Sequence, residues 1–410
     1  MMIGTDDNLR YSSLPDPIRA IFRGLPGIWK YRHDLILRWV IFSMAMNQGK
    51  NTIKSLGDIT PKSICKDRIR GLVVASYWSV VDLVQWLGMK AMESFPPAEN
   101  GVIFLISDGS KKSKYGLKGD VNQKGKYHKY SAWFFGFKFI ILIVAWDQYR
   151  TPVNFRIVLP KSHKNYRKEN LLFQDMVAEF EPPSWAKLVH ITCDAGFGSK
   201  DNLRYIQKLN SQMAKEKIRW SFVIALPKTW KQSNGKSLRD LAYHLPRSKY
   251  KKIVIPAEPG VCKKKVFWVY SKTVTLDHIG EVTIVLSKKG PNTSPKNIKV
   301  IVTNLQGADA KKIVSIYCRR WSVEVMFREL KSGMGLGQFE MIEEERKTQN
   351  AVGLAILSYQ LVIILSKEKI KNDVKWSIFT LKHLHQKRFM KAQLESNTRI
   401  QVKRAMKIAV

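Results

Sequence analysis

Apolar residues recur at helical spacing through the first hundred positions. Over 28–46, Leu35, Ile36, Trp39, Val40 and Phe42 mark one side of a helix, and over 77–92 Val80, Val81, Val84 and Leu87 form a second stripe. Between them, 51–57 and 63–75 predict a short helix pair around a turn at Pro61. Such a pair either packs in a bundle or reads DNA as a helix-turn-helix. Phe95, Pro96, Pro97 and a turn over 99–101 close this helical segment.

From Gly101 onward short apolar runs alternate with helical patterns. Positions 102–107 and 188–193 read as buried strands, 133–146 and 152–159 as a long strand pair, and 220–226 as a further strand. Helices are expected over 168–179 and from 200 to about 214. Residues 228–297 break this rhythm with Lys/Ser/Gly/Pro loops and β-type stretches at 252–256, 265–275 and 281–287. Positions 298–302 return to a core strand, 308–333 read as one strong helix, and 348–366 as a largely apolar helix. The pattern predicts a helical N-terminal domain (1–100), an α/β catalytic domain (101–227 with 298–368), a β-rich insertion (228–297) and a basic C-terminal region (369–410).

Charge narrows the class. The 410 residues hold 70 Lys and Arg against 33 Asp and Glu, a formal net charge of +37, in a chain that is 45% hydrophobic. A folded protein this basic repels itself unless a polyanion screens it. Nucleic acid is the leading partner and an anionic membrane surface the weaker one, because no cationic stretch carries a wide apolar face. The longest apolar stretches, 133–146 (interrupted by Lys138) and 354–365, are shorter than the ~20 residues of a membrane span. No apolar core segment occurs over 1–11, so no secretory signal is expected. Cys65, Cys193, Cys262 and Cys318 lie far apart without a CxxC pair, which fits small buried side chains in a reducing cytosol and no zinc or disulfide framework.

Three acidic residues stand in chemically suggestive settings. Asp108 follows the apolar run 102–107 in SDGSKK, and Asp194 follows 188–193 in CDAGFG. Carboxylates at the carboxyl ends of buried strands sit at the rim of a sheet, where α/β proteins place their sites, although such residues also cap turns and helices. Two held side by side need a cation, and hard oxygen donors favour Mg²⁺. Glu324 lies in YCRRWSVEVMFRELK. On one continuous helix Tyr317, Arg320, Glu324 and Lys331 fall within about 60° of arc. That stripe is either a solvated face or a phenol, guanidinium, carboxylate and ammonium arranged for a metal and phosphates.

The string Tyr317-x2-Arg320-x3-Glu324-x6-Lys331, with Trp321 directly after Arg320, resembles the YREK signature of bacterial insertion-sequence DDE transposases. Asp108 and Asp194 resemble the first two acidic positions, and the long gap before Glu324 resembles members with a β-strand insertion. The first Asp of that family is often followed by Asp-Thr, where this chain has Gly109-Ser110.

The resemblance implies a ribonuclease H-like mixed sheet flanked by helices, with Asp108, Asp194 and Glu324 holding two Mg²⁺ ions, or Mn²⁺ as a substitute. It implies contact of Tyr317, Arg320, Trp321 and Lys331 with DNA. It further implies a cut-and-paste enzyme that binds its element's terminal repeats and a target duplex, acts as a homodimer in the DNA complex, and resides in the bacterial cytoplasm with the nucleoid. Lys111 and Lys112 open a lysine-rich stretch (Lys114, Lys118, Lys124, Lys126, Lys129) that either tracks a DNA backbone or is a solvated loop. Trp230 and Trp268 in the insertion are base-stacking candidates or core residues. The same residues also fit a metal-dependent nuclease without strand joining or an inactive DNA-binding regulator.

Overall fold

A computed structural model describes residues 14–26, 31–75, 78–113, 119–127, 132–212, 218–257, 264–339, 344–373 and 375–408. The stretch 1–11, Cys262, Lys114, Lys118, Lys129 and the side chain of Lys126 lie outside the described residues. The chain forms two compact units. One gathers Met1–Ser94, Lys114–Phe135 and Phe327–Val410; the other gathers Phe95–Ser113 and Gly136–Met326.

The chain opens on helices α1 (Asp16–Ile21), α2 (Tyr31–Met46), α3 (Ile53–Ile59), α4 (Lys66–Ala75) and α5 (Val80–Glu93). Strands then enter: β1 (Val102–Ser113), β2 (Gln123–Tyr127), β3 (Ala132–Trp146), β4 (Tyr149–Val158), α6 (Glu169–Ala178), β5 (Leu188–Cys193), α7 (Lys200–Gln212) and β6 (Arg219–Leu226). The insertion contributes α8 (Leu238–His244), β7 (Lys251–Ile255), β8 (Lys265–Leu276) and β9 (Gly280–Lys288). β10 (Lys299–Thr303) precedes the closing helices α9 (Ala310–Cys318), α10 (Trp321–Gly333), α11 (Glu345–Leu365), α12 (Lys367–Asn372) and α13 (Ile378–Ile408).

The second unit is built on a mixed sheet in the order β4-β3-β1-β5-β6-β10-β9-β8-β7. β1, β5 and β6 run parallel, whereas β3 and β4 are antiparallel additions on one side and β10, β9, β8 and β7 on the other. This is the expected mixed sheet flanked by helices. The insertion strands continue the sheet through β10. Two readings from sequence change: β1 extends to Ser113 because β3 goes on pairing with it after β5 has ended, and the long helix over 308–333 is two helices.

The first unit is organised on α11, whose residues from Ala351 to Ile364 are buried and which packs against α2, α4, α5 and α13. By length and apolarity α11 could cross a membrane, but 89% of its most apolar window is buried inside the protein. It outruns the apolar stretch 354–365 because residues 345–353, polar over 345–350, add about two and a half turns ahead of it. Polar pins fix the bundle: Gln360 Nε2 donates to Val84 O, Asn350 Nδ2 to Val73 O, and the buried Lys382 ammonium to the carbonyls of Met44 and Gly333. Cys193 and Cys318 are buried, whereas Cys65 is exposed, contrary to the expectation of a buried thiol.

Gly353 sits where α11 crosses α5, and a Cβ there would land on the Val80 side chain. Gly353→Ala should therefore lower unfolding stability by about 1–3 kcal/mol, against the ~1 kcal/mol that helix propensity alone would add. Urea denaturation of Gly353→Ala and of Gly353→Ala with Val80→Ala checks this: the second change should recover most of the loss.

Candidate active site

β1 and β5 pair in parallel register up to Ser107 opposite Cys193, so Asp108 and Asp194 are the next residues on neighbouring strands. Strands this close lie about 4.8 Å apart, and the two positions share the sheet face of Ile106 and Thr192. Asp194 ends its strand as expected. Asp108 does not: it lies inside β1, paired with Ile141 of β3, at the level where β5 stops. Asp194 Oδ1 accepts from Gly196 N at 2.8 Å, folding the chain into a tight turn. Gly198 in that turn leaves no room for a side chain, since a Cβ would stand 2.5 Å from Ala225 O.

The third carboxylate arrives from the helices. Asp309 caps α9 by accepting from Lys312 N, and the apolar side of α9 beds on the sheet: Ile313, Val314, Ile316 and Tyr317 pack with Val223, Ala225, Val285 and Ile301. This bed includes strands of the insertion, so the inserted strands help place the end of α9. After Cys318 the helix breaks into tight i→i−3 bonds, Arg320 N to Tyr317 O and Ser322 N to Arg319 O. The single stripe expected from the spacing is thereby interrupted. Arg319 fixes the break, donating to Asp147 O at 2.6 Å with its guanidinium 5.0 Å above the Phe104 ring.

The break turns Arg320 toward the strands. Its Nη1 donates to Asp108 Oδ2 at 2.7 Å and its Nη2 donates to Glu324 Oε1 in the first turn of α10. One half-buried guanidinium thus clasps the first and third acidic residues, while Asp194 stands beside the first. Tyr317 is buried next to it, and Lys299 Nζ on β10 donates to its hydroxyl at 3.3 Å.

Electrostatics follow from this crowding. Burial, and then the charge of Asp194, push the Asp108 carboxyl up to about 6, although Arg320 pulls the other way. Burial pushes the Tyr317 phenol up to about 12. Burial opposes the charge of Arg320, but Tyr317, Asp108 and Glu324 outweigh it and raise its pKa. Lys299 is lowered by burial and by Arg320. Farther down the same face, His190 Nδ1 meets Ser221 Oγ at 2.5 Å, and burial holds the imidazole down at about 4, so it is neutral. Among the described residues no three Asp, Glu, His or Cys side chains close on a single point as a metal cage. The donor chemistry nonetheless suits a divalent ion: the carboxylates are hard oxygen donors, and their mutual charge calls for a cation where Arg320 now reaches.

The remaining expected residues are dispersed. Alternation along β1 puts Lys112 on the face of Asp108 and Lys111 on the other, opposite Lys138, which pairs with Glu169 at 2.5 Å. Trp321 is 47% exposed with Lys265 Nζ 5.2 Å over its ring. Trp268 is half-buried on β8 with Lys252 Nζ 5.9 Å over it, and the Trp230 indole donates to Gly198 O at 3.2 Å. Lys331 lies in the last turn of α10, 6.0 Å from the Phe327 ring centroid. Sequence reasoning missed Arg319 and Lys299. The tandem Arg319-Arg320 ahead of an apolar run was a usable hint for the first, and nothing local marked the second.

The sequence matches the Transposase DDE domain family over residues 107–361, which covers more than half of the chain and includes Asp108, Asp194, Tyr317, Arg320 and Glu324. The chain belongs to the Transposase DDE domain family. This DDE transposase domain thus belongs among enzymes that cleave and transfer DNA. No curated protein matches the sequence at a significant level. Among solved structures, the chain is similar to the piggyBac transposase in the cryo-EM structure of its synaptic complex with hairpin DNA. That likeness covers 93% of this chain and 77% of that chain at 11% sequence identity, with a TM-score of 0.45.

The Asp108 environment sets a pH signature for the DDE transposase without metal. Its folded pKa is about 6, above an ordinary value of 3.8, so the native state favours the protonated form and stability falls as pH rises through that window. Asp108→Asn, compared with wild type in chelator, should gain roughly 2–3 kcal/mol between about pH 4 and about pH 7.5. Urea melts at both pH values read this directly, and a pH-independent difference would mean that the carboxylate is not disfavoured by its surroundings.

Proposed function

We propose that this protein is a cut-and-paste DNA transposase that binds the terminal repeats of its insertion sequence and joins the freed ends to target DNA. Asp108, Asp194 and Glu324 would hold Mg²⁺, with Mn²⁺ as a substitute. The observation that carries this is the Arg320 clasp on Asp108 and Glu324 with Asp194 on the neighbouring strand, inside a DDE transposase domain. Bound divalent ions supply charge that makes water or a hydroxyl a better nucleophile and stabilises the leaving oxygen.

The side chains of this protein have defined parts in that reading. In cleavage, the oxygen of water bonds to phosphorus and the bond to the 3′ oxygen of the element breaks. In joining, that 3′ hydroxyl attacks a target phosphate in the same sense. Arg320, once its two carboxylates take a metal, offers both N–H pairs to a phosphate. Tyr317, kept neutral by burial, keeps its hydroxyl proton and offers it to a phosphate oxygen while Lys299 steadies the ring. Trp321, Lys331 and Lys112 extend the DNA contact, and Trp268 and Trp230 are the stacking residues of the insertion. An element has two ends, which supports a homodimer in the DNA complex, acting on the nucleoid in a bacterial cytoplasm.

The test uses end-labelled DNA carrying the sequences that flank the coding region, mixed with supercoiled plasmid and Mg²⁺. Joined products are expected; cleavage without joining would instead identify a nuclease. Asp194→Asn and Glu324→Gln should each lower cleavage by about 10³-fold or more while DNA binding is kept, equivalent to ~4 kcal/mol of barrier. Cleavage at near wild-type rate by either variant removes that residue from the site. Lys112→Ala should weaken end binding more than Lys111→Ala in a gel-shift titration, because only Lys112 shares the face of Asp108.

A further inference from the structure

β2 and the first residues of β3 pair as a two-stranded ribbon, and the side chains on it alternate sharply. Phe134 turns inward, 4% exposed, with its ring over Gly125, where a Cβ would land on the ring. Its neighbours Trp133 and Phe135 turn the other way and are 67% and 43% exposed. Lys124, also exposed, holds its Nζ 5.9 Å from the Trp133 ring centroid, so a cation stands beside the exposed indole.

Two large rings presented to solvent need an occupant. Protein interface cores are depleted in lysine, whereas the stretch 114–135 carries Lys114, Lys118, Lys124, Lys126 and Lys129 against the single acid Asp120. The charge therefore selects a polyanion. Residues two apart on a strand stand about 6.6–6.8 Å apart. That matches two steps of the roughly 3.4 Å rise along a nucleic-acid strand. Rings at this pitch stack on bases that are unstacked or unpaired, or enter a bent duplex as wedges.

We propose that Trp133 and Phe135, flanked by Lys124, form a stacking wedge that recognises locally opened DNA, apart from the residues around Arg320. The wedge rests on the reading of the protein as a DNA transposase and adds to it a preference for distorted duplex. Such a preference would favour target sites, or element junctions, whose base pairs are already weakened.

The experiment measures binding of the full chain to two fluorescent duplexes of random sequence. One is fully paired, and the other has a two-base mismatch bubble containing 2-aminopurine. Wild type should bind the bubble at least ~10-fold more tightly and quench the 2-aminopurine. Trp133→Ser with Phe135→Ser should lose both effects, while binding to paired duplex stays within about threefold and cleavage of element ends is kept. Lys124→Ala should weaken both duplexes alike and reduce the salt slope by about 1. A double variant that keeps the bubble preference overturns the wedge. So does one that changes the oligomeric state without DNA and leaves that preference intact, since the face would then be an interface between copies. If wild type cleaves and joins element ends but treats both duplexes equally, only the wedge fails. If wild type binds neither duplex, the transposase reading fails with it.

Discussion

The site depends on one ion-pair arrangement, the Arg320 guanidinium shared by Asp108 and Glu324 with Asp194 alongside. Partial burial and the neighbouring charge of Asp194 disfavour the Asp108 carboxylate as an anion, and Coulomb repulsion grows as the local dielectric falls. One guanidinium offsets part of that cost, and the raised pKa of Asp108 is what remains. The sheet must therefore hold together an arrangement that resists being held, which explains why its supports are stiff: a parallel strand pair, a capped helix bedded on strands β6 to β10, and a turn locked by a second arginine.

That dependence gives the insertion a structural meaning. β7, β8 and β9 lengthen the sheet through β10, and side chains from them share the cluster under α9. Without that extension α9 would lose part of its bed, and the break at Arg319 and Arg320 would lose its fixed height above the strands. The insertion thereby positions the Arg320 clasp even though none of its residues belongs to it. Lys299 on β10 is the nearest link, one strand away from the parallel core and hydrogen-bonded to Tyr317.

Much of this was legible in the residues and some was not. β5 and its terminal Asp194 follow from an apolar run with an Asp-Ala-Gly turn behind it, and the strands of the insertion follow from their alternation. The extent of β1 was not legible, because SDGSKKS has no apolar pattern. It stays a strand through backbone bonds to β3, which only the tertiary pairing supplies. The break between α9 and α10 was invisible for a related reason. Apolar spacing runs through it without a Gly or Pro, and the interruption comes from Arg319 and Arg320 finding partners on other strands. Register was also beyond local reading, so Lys111 and Lys112 looked equivalent until alternation along β1 separated them.

A chain of net charge +37 repels small cations, yet the proposed chemistry needs divalent ions at Asp108, Asp194 and Glu324. Screening limits that repulsion to about 8 Å at physiological ionic strength, so the decisive field is local. Locally the three carboxylates outnumber Arg320, and the nearest further cation, Lys299, is turned to the Tyr317 hydroxyl. On the proposed reading, arrival of DNA changes both scales together. Phosphates neutralise the long-range excess, and a phosphate next to the site gives Arg320 an anion in exchange for the carboxylates it releases. Metal loading and DNA binding would then favour each other, because each removes the charge conflict that opposes the other. On that reading the Arg320 clasp would be the resting form of the exchange, keeping Asp108 and Glu324 paired until a divalent ion and a phosphate divided them.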